Sequence, residues 1–244
     1  MIDFKLKYQA TIFLNANDIG ATQKNISDLM MDFSDKGFIP NIFQEITNLN
    51  PQPQNRFRLQ ASNSEWIINI GSLRIDIEKN PIDMKGANLG GELDFCKDVT
   101  DFFARILKRF PRKASRLAFV SRFLLDEMSK EQLEGAYNKL FNSPNIYTQN
   151  KPFEWNWRTA ARIEKEICDK KEEFNFVTTV NRVNGEIKNG NQLSLLDRIE
   201  FNFDINSIPF NSESRFGNEE IKYFFDNVYT WHEDIKNEMA NFLK

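Results

Sequence analysis

The single histidine of the chain, His232, is the first residue to consider, because imidazole serves both catalysis and metal binding at neutral pH. It lies in a stretch of helical periodicity, where we expect a lone histidine to be a surface or boundary residue. The two cysteines, Cys96 and Cys168, are far apart and follow no metal-binding or redox spacing. This set cannot build a closed zinc site, and no G-x-S-x-G motif is present. Neither nucleophilic catalysis nor a His/Cys metal centre is predicted.

Acidic side chains recur at alternate positions of two predicted strands. Asp76 and Glu78 share a face of one strand, and Glu200 and Asp204 share a face of another. Carboxylates arranged in this way can hold catalytic Mg²⁺ in nucleases. A solvated strand face gives the same pattern, and we favour that interpretation. The glycines fall in no phosphate-binding frame, so no cofactor is predicted.

A cluster of basic residues without an intervening acid lies just before the middle of the chain and comprises Arg105, Lys108, Arg109, Arg112, Lys113 and Arg116. Positive charge at the end of a helix is favourable by roughly 0.3–1 kcal/mol per residue. We favour this structural explanation. The alternative is a basic patch that contacts a phosphate backbone or an acidic partner.

Aromatic and basic residues alternate in the segment from Trp155 to Arg162. In an extended strand, Trp155 and Trp157 share one face, whereas Arg158 and Arg162 lie on the other. The tryptophans would stack on bases if their face were open. We expect them to be core residues under helices instead, which leaves the arginines on an open face.

The elements that must position these residues follow from hydrophobic periodicity. A helix with Ile26, Leu29 and Phe33 on one stripe ends at Gly37, and a capping box of Ser129 and Gln132 opens another helix. Two further helices are predicted over 92–110 and 218–243. The segment 38–55, which contains three prolines, is predicted to be a loop. Strands are predicted over 5–14, 56–61, 65–71, 72–79, 116–126, 152–164, 173–183 and 197–206.

The order of these elements, strand, helix, three strands, helix, occurs twice. We therefore predict an α+β fold of two pseudo-repeats, residues 1–112 and 113–244, packed as one continuous unit. The halves would join into a curved antiparallel sheet with helices on one face and an open, polar opposite face.

Three segments with this layout resemble a family of uncharacterised, sporadically distributed bacterial proteins of about this length. They are the strand pair led by Trp66, the strand 116–123 with Arg116 and Arg122 six residues apart, and the closing stretch 226–243 with Trp231-His232-Glu233. The resemblance implies a duplicated α+β fold, no established activity, and a patchy occurrence typical of mobile-element and defence loci.

Composition restricts the functional class. The net charge is −3, with 32 basic and 35 acidic side chains, whereas a dedicated nucleic-acid binder usually carries a basic excess. Neither a signal-peptide layout nor an apolar run of membrane-spanning length is seen. We therefore expect a cytoplasmic protein.

We expect a non-enzymatic binding module whose partner is a protein or a small polar ligand, with a homodimer as a further expectation. Nucleic acid is not favoured as a partner. The alternative is a metal-dependent nucleic-acid-processing enzyme that uses sheet carboxylates. The predicted binding residues on the open face are Arg58, Arg74, Arg122, Arg158 and Arg162. A buried Arg122 would need Asp204 or Glu200 as its partner.

Overall fold

The chain forms an α+β structure in which helices cover one antiparallel sheet. The computed structural model describes residues 2–47, 50–189 and 192–243. Within these ranges the strands are β1 (Ile2–Phe13), β2 (Phe38–Thr47), β3 (Asn50–Ala61), β4 (Trp66–Ile70), β5 (Arg74–Lys79), β6 (Arg116–Leu125), β7 (Trp155–Ile167), β8 (Lys170–Asn189) and β9 (Gln192–Ser207). The helices are α1 (Gln23–Asp32), α2 (Glu92–Arg109), α3 (Lys130–Leu140), the short α4 (Asn145–Gln149) and α5 (Asn218–Leu243).

The nine strands follow the order β2-β3-β4-β5-β1-β6-β9-β8-β7, and every neighbouring pair is antiparallel. The centre of the sheet is the pair β1–β6, in which Ala10 lies opposite Phe119. Strands β2–β5 lie on the β1 side of this pair, and β7–β9 lie on the β6 side. The strand order confirms the predicted α+β class with an antiparallel sheet.

The prediction of a loop over 38–55 is wrong, because this segment contributes β2 and the first half of β3. Proline disfavours a strand when its missing N–H would face a partner strand. Pro40 lies on β2, which is an edge strand. Pro51 and Pro53 lie in the part of β3 that precedes its pairing with β4, which begins at Phe57. The prolines therefore occupy the positions in a sheet that tolerate them.

The core lies between the sheet and the helices, and it is unusually aromatic. Phe95 of α2 packs on Tyr8 of β1 and stacks on Trp66 of β4, with ring centroids 5.4 and 5.6 Å apart. Phe103 of α2 stacks on Phe225 of α5 at 5.6 Å, which joins the two longest helices. One contiguous cluster of buried residues includes members from both sides of the central strand pair.

Local signals set several helix boundaries. Thr22 caps α1 by accepting a hydrogen bond from the Asn25 amide. The predicted capping box of Ser129 and Gln132 is confirmed at the start of α3. Gly37, which adopts a left-handed conformation with φ 63°, ends the 3₁₀ turn that follows α1.

Candidate functional site

The five predicted binding arginines all lie on the sheet face opposite the helices, which we call the open face. Strand register fixes this placement, because directly paired residues share a face. Arg58 and Arg162 belong to one cross-strand row with Asp76, and Arg122 and Arg158 belong to a second row. Arg74 shares the face of Asp76, two residues away on β5.

Three of these arginines are engaged with neighbours on the same face. The Arg74 Nε is 3.0 Å from the Asp76 carboxylate. The guanidinium of Arg58 lies 5.2 Å from the centroid of the Phe43 ring. Arg122 donates to Glu200 Oε2 at 2.8 Å, although its side chain is 43% exposed and not buried, the condition under which a carboxylate partner is expected.

Arg158 and Arg162, which are both exposed, differ from the other three because they project from the edge strand β7. Within the described residues, neither forms an ion pair or a hydrogen bond through its side chain. The guanidinium of Arg162 lies 5.5 Å from the ring of Phe210, which is 80% exposed. Four residues of strand separate the two arginines, which corresponds to about 13 Å.

Between these arginines and the centre of the sheet lies a network of amide side chains. Asn175 donates to Asn206 Oδ1 at 3.1 Å, and Asn206 donates to Asp204 Oδ1 at 2.8 Å. Asn181 contacts both Asn156 and Glu200. Amides are both donors and acceptors, so this surface can bind a polar partner without a single preferred charge.

Short side chains separate the two rows that carry Arg158 and Arg162. The row between them contains Val120, Asp204, Val177 and Ala160. Longer polar side chains flank this row on both sides, and the carboxyl of Asp204 interrupts its short apolar side chains.

Two carboxyls of the open face are shielded from solvent. Asp76 accepts from Thr11 Oγ1 at 2.7 Å and from Gln9 at 3.2 Å. Burial nevertheless raises the pKa of Asp76, and burial also raises the pKa of Asp204. Glu78 is neutralised by Lys7 at 2.9 Å. This face therefore offers fewer ionised, unpaired carboxylates than a Mg²⁺ site needs.

The tryptophans of β7 lie on the helix side of the sheet, as predicted. Trp155 is buried against Tyr137 and Phe141 at the end of α3. Trp157 is partly buried and packs against the core. Neither ring is available on the open face to stack with a base.

The basic cluster at the end of α2 binds acids of the segment that leads from β1 through α1. Arg105 pairs with Asp35 at 2.6 Å, and Arg109 pairs with Asp32 at 2.7 Å. Arg112 pairs with Asp18 at 2.8 Å. Each of the three carboxyl groups has a pKa below its usual value, chiefly because of its arginine hydrogen bond. The cluster therefore fastens α1 to α2, a role that the helix-end explanation did not foresee. Lys108 and Lys113 are exposed beside it.

The expectation that His232 lies at the surface is wrong, because its side chain is completely buried. The rings of Phe119, Phe123 and Phe203 surround it with centroids 5.0–5.9 Å away. Burial lowers the pKa of His232 to about 3, so the imidazole is neutral at pH 7. Its Nε2 is 2.5 Å from Ser121 Oγ.

In space, His232 lies between Ser121 and Glu92, which is the arrangement of a Ser–His–acid triad. His232 Nδ1 lies 3.7 Å from Glu92 Oε1, which is too long for a hydrogen bond. Ser121 is fully buried on the helix side of β6, with none of its surface exposed to solvent. A substrate cannot reach this hydroxyl, so the arrangement is not a nucleophilic active site.

One group of metal-ligating side chains occurs among the described residues, and it is not on the open face. It comprises Glu92, His232 and Glu233, whose ligand atoms lie within 4.8 Å of one another. The carboxylates predicted as an alternative metal site, on β5 and β9, do not form such a group there. Sequence reasoning missed this group because Glu92 and His232 are 140 positions apart.

Arg56 is a second residue whose environment the sequence did not indicate. The alternation of polar and apolar residues along β3 predicts a solvent-exposed side chain at position 56, yet only 2% of Arg56 is exposed. It donates to the carbonyls of Ala16 and Asn17 and to Glu45 Oε2, with distances of 3.1–3.2 Å. Arg56 therefore fixes the loop between β1 and α1, and its role is structural.

Comparison with known proteins gives no family assignment. No protein-family model matches the chain, and no curated protein is similar to it in sequence. Within the described residues, no helix is long and apolar enough to cross a membrane.

Proposed function

We propose that the protein is a non-enzymatic binding module of the bacterial cytoplasm whose open face engages a partner protein that presents acidic side chains. The observation that carries this proposal is the pair Arg158 and Arg162. Both are exposed, and among the described residues neither has an ion-pair partner, whereas Arg74 and Arg122 on the same face do.

The surroundings of this pair support a protein partner over nucleic acid. The adjoining surface combines amides, carboxyls and short apolar side chains, which suits the mixed chemistry of a protein surface. A nucleic-acid interface would need a basic stripe. The arginines of the α2 cluster do not extend the open-face charge, because they are paired within the chain.

We also propose that the fold consists of two pseudo-repeats, residues 1–112 and 113–244. The strand order supports this proposal, since β1 and β6 form the central pair and each precedes a helix, antiparallel strands and a long helix. The predicted count of three strands is wrong for the first half, where the four strands β2–β5 follow α1, and three strands, β7–β9, follow α3 and α4 in the second. The resemblance to sporadically distributed bacterial proteins supports a role at a mobile-element or defence locus.

The test compares capture from the source cytosol by immobilised wild type and by the double variant Arg158→Glu/Arg162→Glu. The matched control, Lys24→Glu/Lys97→Glu, changes the net charge equally on exposed positions of α1 and α2. We expect wild type and control to retain the same protein, and the double variant to lose it by about tenfold or more, because like charges then face each other. Retention should survive nuclease treatment and fall with added salt.

Two results would contradict the proposal. Equal capture by all three proteins would show that the open face is not the binding surface. Mg²⁺-dependent cleavage of RNA or DNA that disappears in an Asp76→Asn variant would instead establish the enzyme alternative. Self-capture of the chain that depends on the two arginines would identify the partner as a second copy.

A further inference from the structure

The first turn of α2 and the second half of α5 bring together three side chains that the open-face function does not use. They are Glu92, His232 and Glu233. His232 is fully buried, and in the part of the chain that the structure describes its Nδ1 has no hydrogen-bond partner. That nitrogen faces the carboxylate of Glu92, with Nδ1 and Oε1 3.7 Å apart.

We propose that Glu92, His232 and Glu233 form a binding site for a divalent cation of the zinc type, which competes with the ammonium group of Lys236. Zinc bonds to imidazole nitrogen and carboxylate oxygen are about 2.0–2.2 Å long, so two ligands of one ion lie at most about 4 Å apart. The separation between His232 Nδ1 and Glu92 Oε1 already meets this limit. Glu233 is 41% exposed, so its side chain is free to close the remaining distance.

The imidazole ligand determines the class of cation. Zn²⁺, Co²⁺ and Ni²⁺ accept nitrogen ligands, whereas Mg²⁺ and Ca²⁺ prefer sites built from oxygen alone. Three protein ligands leave one tetrahedral position for water, the arrangement of open zinc sites.

Lys236 acts as the internal competitor of the cation. Its Nζ lies 3.1 Å from Glu92 Oε1 and also contacts Glu233, so one positive charge is shared between two carboxylates. It leaves His232 Nδ1 without a bond. A divalent cation would bind all three ligands at once, and the lysine, which is 15% exposed, can turn toward solvent when the cation enters.

Ser121 supplies the outer contact that a metal-binding histidine requires. A metal ion on Nδ1 places the ring proton on Nε2, which then donates to Ser121 Oγ at 2.5 Å. Such a bond fixes the tautomer and the orientation of the ring. The site lies on the helix side of the sheet and is independent of the proposed open-face function.

The experiment is a titration of tag-free protein with ZnCl₂ by isothermal calorimetry, in a Cys168→Ser background that removes the partly exposed thiol. We expect one ion per chain. Glu233→Gln should weaken binding by about tenfold or more, and Lys236→Met should strengthen it by a similar factor. Co²⁺ bound at the site should give the intense visible absorption of a four-coordinate ion, whereas Mg²⁺ should not bind measurably.

The controls separate ligation from overall charge. Glu238→Gln and Lys222→Met make the same charge changes at exposed positions of α5, and neither should alter zinc affinity. Glu233 and Lys236 are near the surface, so their variants should fold, which thermal unfolding checks. The proposal is overturned if wild type and Lys236→Met both fail to bind zinc. It is also overturned if the test variants shift affinity no more than their controls do.

Discussion

Asp76 is an ionisable residue that is buried on the open face. Its charge partner is Arg74, whose Nε lies 3.0 Å from Asp76 Oδ2. Because burial raises the pKa of Asp76, the folded protein binds this proton more tightly than the unfolded chain does. The protonated carboxyl of Asp76 stabilises the folded protein fully at pH values below the pKa that Asp76 has in the unfolded chain. This stabilisation is lost as the pH rises through the pKa that Asp76 has in the folded protein. The ionised carboxylate therefore costs stability at neutral pH.

An Asp76→Asn variant should gain stability relative to wild type as the pH rises from about 4.5 to about 7.5, because Asn keeps the Thr11 contact without the charge. Each unit of difference between the folded and unfolded pKa values contributes about 1.4 kcal/mol. Urea unfolding at both pH values measures the effect. Asp234→Asn, on an exposed position, is the control and should show no such trend. A difference between Asp76→Asn and wild type that does not change with pH would contradict the argument.

His232 shows at the same scale how environment decides chemistry. Its neighbours are phenylalanines, a serine and the glutamate at the start of α2. A buried imidazole with a hydrogen bond on only one nitrogen is costly, by roughly 1–3 kcal/mol for the unsatisfied atom. This cost is the physical reason for assigning a cation to the other nitrogen.

The connection between β5 and α2 depends on one glycine conformation. Gly86 has φ 65°, and a Cβ atom built on it would lie 2.1 Å from the Lys5 carbonyl oxygen. The neighbouring Lys85 carbonyl accepts a hydrogen bond from the Lys5 amide at 3.0 Å. The close approach holds the segment before α2 against β1, and with it the position of Glu92.

Gly86→Ala should destabilise the protein by more than about 3 kcal/mol, because it adds a backbone clash to the cost of a left-handed alanine. Gly37→Ala is the matched control, since Gly37 has φ 63° but no atom within 4 Å of a built Cβ. The control should lose only about 1–2 kcal/mol. Urea unfolding of both variants measures the difference, and equal losses would mean that the segment shifts to relieve the clash.

At the scale of the whole molecule, the two halves of the sheet, which meet at the β1–β6 pair, share one core. The β1–β6 pair joins them through backbone hydrogen bonds, and Phe103 of α2 stacks on Phe225 of α5. Neither side can bury its half of this interface alone, so we expect residues 1–112 and 113–244 to unfold together.

A Trp66→Phe variant tests this cooperativity, because its three remaining tryptophans all lie in residues 113–244. Tryptophan fluorescence then follows the second half, whereas far-ultraviolet circular dichroism follows the whole chain. The two urea transitions should have the same midpoint. Separate midpoints would show that the halves are independent folding units.

The sequence by itself determined the α+β class, most of the strands and helices, and the face on which the residues of the clearly alternating strands lie. Strict alternation in β7 and β9 sufficed to assign Trp155 and Phe203 to the helix side and Arg158 to the open side, because the strand period of two is local. Proline misled the prediction for β2 and β3, since its effect depends on whether a strand has a neighbour, which is not a local property.

Only the tertiary structure decided which distant residues meet. Arg105 and Asp35 are 70 positions apart, and His232 and Glu92 are 140 apart, so no spacing rule reveals either pair. The same limit applies to the burial of Arg56, whose partners lie on a loop some 40 residues earlier. Periodicity reports the direction of a side chain, whereas its charge partners and solvation depend on how the helices and loops pack over the sheet.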